Sequence, residues 1–129
     1  MSPDYNDKPL VYSCSGCSNV AQLANDLAVV LDREGSAQMS CIAGVGGGVK
    51  SLIKIAQSGR QIIAVDGCPL NCVKHTLAKV DVVPTWHIEL TSLGYKKREH
   101  ENCDLGDAYK LLQTVHCDIL PQAAKQTGF

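Results

Sequence analysis

Apolar residues along the chain fall into short continuous runs separated by stretches with helical spacing. Leu10-Val11-Tyr12 reads as a first strand. After a turn, Val20, Leu23, Ala24, Leu27, Ala28, Val30 and Leu31 recur as one helix face. Ser18 or Asn19 can cap that helix, and Gly35 closes it. Ala37 to Ile42 predicts a second strand with Met39 and Cys41 on alternate positions. The glycine run Gly44-Val45-Gly46-Gly47-Gly48 then leads into a helical pattern through Val49, Leu52, Ile53, Ile55 and Ala56, closed at Gly59. Ile62-Ile63-Ala64-Val65 is continuous and rich in β-branched residues, as a strand buried on both faces requires. It stops at Asp66-Gly67-Cys68-Pro69-Leu70-Asn71-Cys72, where Gly67 permits a sharp turn and Pro69 suits the first position of a helix. Val73, Leu77 and Val80 are the inward positions of that helix. Trp86-His87-Ile88-Glu89-Leu90 alternates as a fourth strand. The charged stretch from Tyr95 to Cys103 reads as solvated loop. Asp104 can cap a last helix carrying Leu105, Ala108, Leu111, Leu112 and Val115, ended or kinked at Pro121.

Strands alternating with helices at this length predict an α/β fold: a three-layer α/β/α arrangement of Rossmann-like or flavodoxin-like kind, with a small, mainly parallel four-stranded sheet. The expected organisation is a loose N-terminal tail over 1–9, a single domain over 10–118 and a C-terminal tail over 119–129, its end frayed. No internal repeat or low-complexity segment interrupts it.

Composition narrows the function classes. With 12 basic and 13 acidic residues the formal charge is −1, which gives no electrostatic case for binding nucleic acid or an anionic membrane. The N-terminus lacks the basic-then-apolar order of a signal peptide and no apolar run approaches a membrane span, so the expected location is the cytoplasm. Seven cysteines are many for 129 residues, and an odd number cannot pair fully within one chain. Without an export signal they point to metal ligation or thiol chemistry rather than structural disulfides.

In a parallel α/β fold every strand-to-helix loop lies at the same edge of the sheet. Cys14 and Cys17 follow the first predicted strand, Cys41 ends the second, and Cys68 and Cys72 follow the third. With Cys68 near the helix N-cap and Cys72 one turn later, both sulfurs leave the start of one helix, a position that favours thiolate. Five sulfurs distant in sequence thus converge, and four thiolates suit a tetrahedral Zn2+ site. The paired spacing favours Cys14, Cys17, Cys68 and Cys72; the strand-end geometry equally permits Cys41 in place of Cys17. The alternative is a thiol redox enzyme or an iron–sulfur electron carrier using the same cysteines. No positioned base or substrate pocket is legible, so the residues name no reaction. Asp66 can accept loop N–H bonds and hold the motif's shape, with a general base as the less favoured alternative; His75 reads as partly exposed, with an open-site ligand as the alternative, and His87 reads as packed or hydrogen-bonded. His100 and His116 need no special role, and Cys103 and Cys117 read as packing residues. The glycine run follows a strand, yet it lacks the third glycine of a dinucleotide fingerprint and the GKS or GKT of a P-loop.

These residues resemble the DGC-domain proteins, a family described as zinc-binding. The namesake triplet stands as Asp66-Gly67-Cys68, within Ala64 to Cys72. Tyr12-Ser13-Cys14-Ser15-Gly16, Cys41 to Gly47 and Leu93-Gly94-Tyr95-Lys96-Lys97 match as well, and the likeness spans roughly residues 10 to 115. The resemblance implies a cysteine-bound metal and no particular reaction. Cys17 adds a sulfur to what the family's pattern requires.

Overall fold

The computed structural model describes residues 5–126, with side chains as far as Ala123. Four strands, β1 (Leu10–Ser13), β2 (Gln38–Met39), β3 (Ile62–Asp66) and β4 (Trp86–Glu89), form one sheet in the order β2-β1-β3-β4. Every pairing is parallel, with Leu10 beside Gln38 on one flank and Ile62 on the other, and Ile63 beside Trp86. The predicted α/β fold is what the chain adopts.

Side chains alternate across the sheet, so each strand feeds two cores. Val11, Ile63 and Val65 meet α1 (Asn19–Arg33) and α5 (Asp107–Asp118) through Leu23, Leu27, Leu31, Leu111 and Val115. Leu10, Tyr12, Ile62 and Ala64 face Val45 of α2 (Ile42–Gly46), Ala56 of α3 (Lys50–Ala56) and Val73 and Leu77 of α4 (Cys72–Ala78). β1 and β3, covered on both sides, are fully buried along their length. No helix among the described residues is long and apolar enough to cross a membrane.

Several boundaries differ from the sequence reading, each for a local reason. The second strand is two residues long rather than Ala37 to Ile42. Past Met39 the chain keeps one more bond, Ser40 N–H to the Val11 carbonyl, and then Cys41 turns it into α2 as its N-cap. The glycine run is therefore partly helical, and Gly44 has no room for a side chain, since a Cβ there would lie 2.0 Å from Leu52 Cδ1. Helix α4 starts at Cys72, not at Pro69, because the Asp66 carboxylate accepts the N–H groups of Val73 and Lys74 and fixes the first turn there. Cys68-Pro69-Leu70 is a turn, and Asn71 enters the helix in the left-handed conformation with φ 53°.

Ser18 caps α1, its Oγ accepting the Ala21 N–H at 3.1 Å, and Gly35 leaves the helix end with φ 82°. Leu90 does not extend β4 but opens a 3₁₀ turn, Leu90–Leu93. At the last helix the cap is Gly106, φ 88°, rather than Asp104. That left-handed step throws Leu105 out of the helical register, so the residue expected to face inward is fully exposed. Ile119 breaks α5 from α6 (Leu120–Gln126), which carries Pro121 as its second residue and buries Ala123, so the expected frayed tail is helical as far as 126. The predicted N-terminal tail is tied down over its described part. Tyr5 Oη donates to the Asp32 carbonyl, and Arg60 Nη2 donates to the carbonyls of Tyr5 and Lys8. The remainder of that tail, residues 1–4, and residues 127–129 lie outside the described residues.

The two leucines of the last helical segment should separate cleanly. Leu111→Ala opens a cavity between α5 and α1 and should cost about 2–4 kcal/mol, whereas Leu105→Ala should stay within about 0.5 kcal/mol of the parent. Urea unfolding midpoints check both.

Candidate functional site

Because all four strands run the same way, the segments after β1, β2 and β3 leave at one edge of the sheet. Cys14 comes directly after β1, Cys41 two residues after β2, and Cys68 two residues after β3, while Cys72 opens α4. The β1 and β3 exits are bonded to each other. Cys14 N–H donates to the Val65 carbonyl at 3.1 Å, and Cys14 Sγ accepts the Gly67 N–H at 3.2 Å. Gly67 is needed here for space rather than for turn conformation. A Cβ would lie 2.6 Å from the carbonyl carbon and oxygen of Val20 and 2.8 Å from the Ala21 nitrogen, and its φ is not positive. The backbone at the start of α1 thus rests directly on the glycine between Asp66 and Cys68.

Asp66 is 1% exposed, and a buried carboxylate must be matched. Its Oδ1 accepts the Val73 N–H at 2.8 Å. Its Oδ2 accepts the Lys74 N–H at 3.2 Å and lies 2.9 Å from His87 Nε2. The carboxylate therefore fixes the last strand position, the start of α4 and the β4 histidine together. This is the positioning role expected of Asp66, and His87 is hydrogen-bonded as expected.

Cys14 is half-buried, and burial pushes its pKa up. The Gly67 N–H opposes the shift, while the charges of Asp66, Cys68 and Cys72 add to it, so these groups neighbour the sulfur. Cys14 and Cys72 line a cleft of about 200 Å³ with Ile42, Ala43, Gly46 and Thr76. Cys41 caps α2, its Sγ accepting the Gly44 N–H at 3.4 Å. Cys68 is half-buried, and Cys17, Cys41 and Cys72 are exposed. All are free thiols. Among the described residues, no group of three His, Cys, Asp or Glu side chains is close enough to hold a metal ion, so the thiol rim is not a pre-assembled ligand shell. The helix-start position expected for both Cys68 and Cys72 holds for Cys72, while Cys68 sits in the preceding turn.

The charged stretch read as solvated loop is strapped across the rim. Asn19, 5% exposed, donates from Nδ2 to the Lys96 carbonyl at 2.9 Å and accepts the Arg98 N–H on Oδ1 at 2.6 Å. The Asn19 N–H donates to the Arg98 carbonyl, and the His100 N–H to the Cys17 carbonyl, each at 3.0 Å. Lys97 on this strap donates from Nζ to Cys68 Sγ at 3.6 Å. A polar Asn on the first turn of an apolar helix was the signal for this arrangement in the sequence. Of the remaining candidates, His75 and His100 are exposed, and His116 Nε2 lies 2.6 Å from Glu34 Oε1. Cys103 packs against the α1–α5 core with its thiol donating to Asp26 Oδ2. Cys117 is exposed and does not pack as expected.

The model of the family described as DGC domain matches residues 10–115. The anaerobic and virulence modulator AnvM of Pseudomonas aeruginosa is 62% identical over 120 residues, which cover 93% of this chain and 91% of that protein. No solved structure matches the chain.

Gly67→Ala should cost about 2–3 kcal/mol in urea unfolding, because the added methyl meets backbone that cannot swing aside. Iodoacetamide at pH 8 with peptide mass spectrometry should modify Cys17, Cys41 and Cys72 well before Cys14, whose thiol is shielded and less ionised. Early modification of Cys14 would contradict this assignment.

Proposed function

The chain belongs to the DGC-domain family, and from that premise we propose that it is a small cytoplasmic metal-binding protein whose thiol rim takes up one Zn2+. The observation that carries the reading is that Cys14, Cys68 and Cys72 all leave the sheet at its carboxyl edge, with Cys14 and Cys72 lining one cleft. These three sulfurs form the core of the ligand set. Cys41, which caps the α2 helix lining that cleft, supplies the fourth, with Cys17 as the alternative. Borderline-soft zinc suits an all-thiolate tetrahedron with Zn–S near ~2.3 Å.

The ion completes the shell rather than entering a finished one. Taking up the ion therefore requires Cys68, in its turn, and Cys41, at the head of α2, to draw in towards Cys14, which couples binding to local rearrangement. The relative AnvM is named a modulator, and a thiolate metal site without a catalytic base suits a modulatory role here too: storing, delivering or sensing the metal.

Protein purified without chelator or reductant should carry about one zinc per chain and no visible colour. Cys14→Ser, Cys68→Ser and Cys72→Ser should each lower zinc content by more than half, Cys41→Ser should follow them, and Cys117→Ser should match the parent. Occupancy should fall as the pH is lowered, because protons compete for the thiolates. Metal-free wild-type protein, or brown absorption with iron present, would overturn the reading.

A further inference from the structure

A groove between α1 and the start of α5 keeps apolar surface in water and shares no residue with the thiol cleft. It encloses about 290 Å³ and is lined by the half-buried Val29, Val30 and Ala108, with Leu105 fully exposed and Tyr109 65% exposed beside them. Gly106, at φ 88°, holds Leu105 out of the helix that follows, so the leucine is displayed rather than packed. Single exposed apolar residues are ordinary, but two of them flanking an apolar groove make a continuous patch of the kind that marks a binding surface. Tyrosine is also among the residues that most often carry binding energy at interfaces. The charged groups in the lining are both carboxylates, Asp26 and Asp104. Neither is well matched among the described residues. Asp26 accepts one hydrogen bond, from the Cys103 thiol at 3.4 Å, and the largely exposed Asp104 carboxylate has Arg98 Nη2 at 3.9 Å.

We propose that this groove docks a segment of a partner protein that presents an apolar side chain beside an arginine or lysine. The apolar side chain packs against Val29, Val30 and Ala108, with Leu105 and Tyr109 covering its flanks, and the cation meets Asp26 and Asp104. Charge complementarity selects this occupant over a second copy of the chain. In a two-fold pairing the same patch meets itself, which would set these carboxylates against one another. Because Leu105 is fully exposed in the free chain, engaging it breaks no packing. The inference is independent of the metal reading, since none of the five rim cysteines lines the groove.

The test selects random dodecapeptides displayed on phage against the full chain, then measures the affinity of the enriched peptide, synthesised with a fluorophore, by fluorescence anisotropy. The enriched sequences should share an apolar residue next to Arg or Lys. Leu105→Ser and Tyr109→Ser should each weaken binding by about fivefold or more. Asp104→Asn should weaken it about threefold at low salt, with the gap closing at high salt. Val83→Ser, which removes an equally displayed apolar side chain outside the groove, should match wild type. Circular dichroism and urea midpoints confirm that each variant is folded, as the exposure of all four side chains leads one to expect. If no peptide is enriched, if the shared sequence is acidic or lacks a cation, if Leu105→Ser and Tyr109→Ser bind like wild type, or if Val83→Ser weakens binding equally, the inference is overturned. Sedimentation velocity showing a wild-type dimer that Leu105→Ser dissociates would overturn it in favour of a second copy.

Discussion

The parallel pairing of β1 with β3, carried one step beyond the strands, is the constraint on which the site depends. The ladder ends with Ser13 opposite Val65, and the Cys14 N–H extends it by bonding the Val65 carbonyl. The Gly67 N–H then reaches back to the Cys14 sulfur. A thiol is thus made part of the sheet's own hydrogen-bond pattern, at the point where two buried strands release their loops. The fit tolerates no bulk, because the start of α1 occupies the space a Cβ on Gly67 would need. Removing one methyl group from the chain is what allows helix, strand and sulfur to share that volume.

Asp66 extends the same logic to the neighbouring elements. A buried carboxylate with two backbone donors and a histidine is stable because its bonds replace the water it has lost. Those bonds also decide where α4 begins, and hence that Cys72 stands at the helix start while Cys68 remains in the turn before it. The two cysteines are thus placed differently, one on the helix and one in the turn before it.

Much of this was legible in the order of residues. The continuous apolar run at Ile62 to Val65 marked a strand covered on both faces, and the spacing of Leu23, Leu27 and Leu31 marked its covering helix. From these the parallel sheet and the shared edge of the cysteine loops follow by topology alone. What stayed hidden depends on single side chains acting at long range. Pro69 is a good helix starter by itself, but the carboxylate three residues earlier bonds further down the chain and moves the start to Cys72. The charged stretch from Lys96 to Glu101 has the composition of solvated surface, and Asn19, more than seventy-five positions earlier, pins it. Leu105 fits the period of the last helix, and a left-handed Gly106 removes it from that period.

These long-range bonds share a feature that bears on the rim's chemistry. Each uses a polar group at the end of a secondary-structure element to hold a loop from another element: Asp66 for α4, Asn19 for the strap, Gly67 for Cys14. The loops are consequently fixed at their roots. Loops rooted in this way bring the sulfurs to one edge without, among the described residues, drawing three of them close enough to share an ion. The separation of the thiols and their common origin at one sheet edge are therefore two consequences of the same construction.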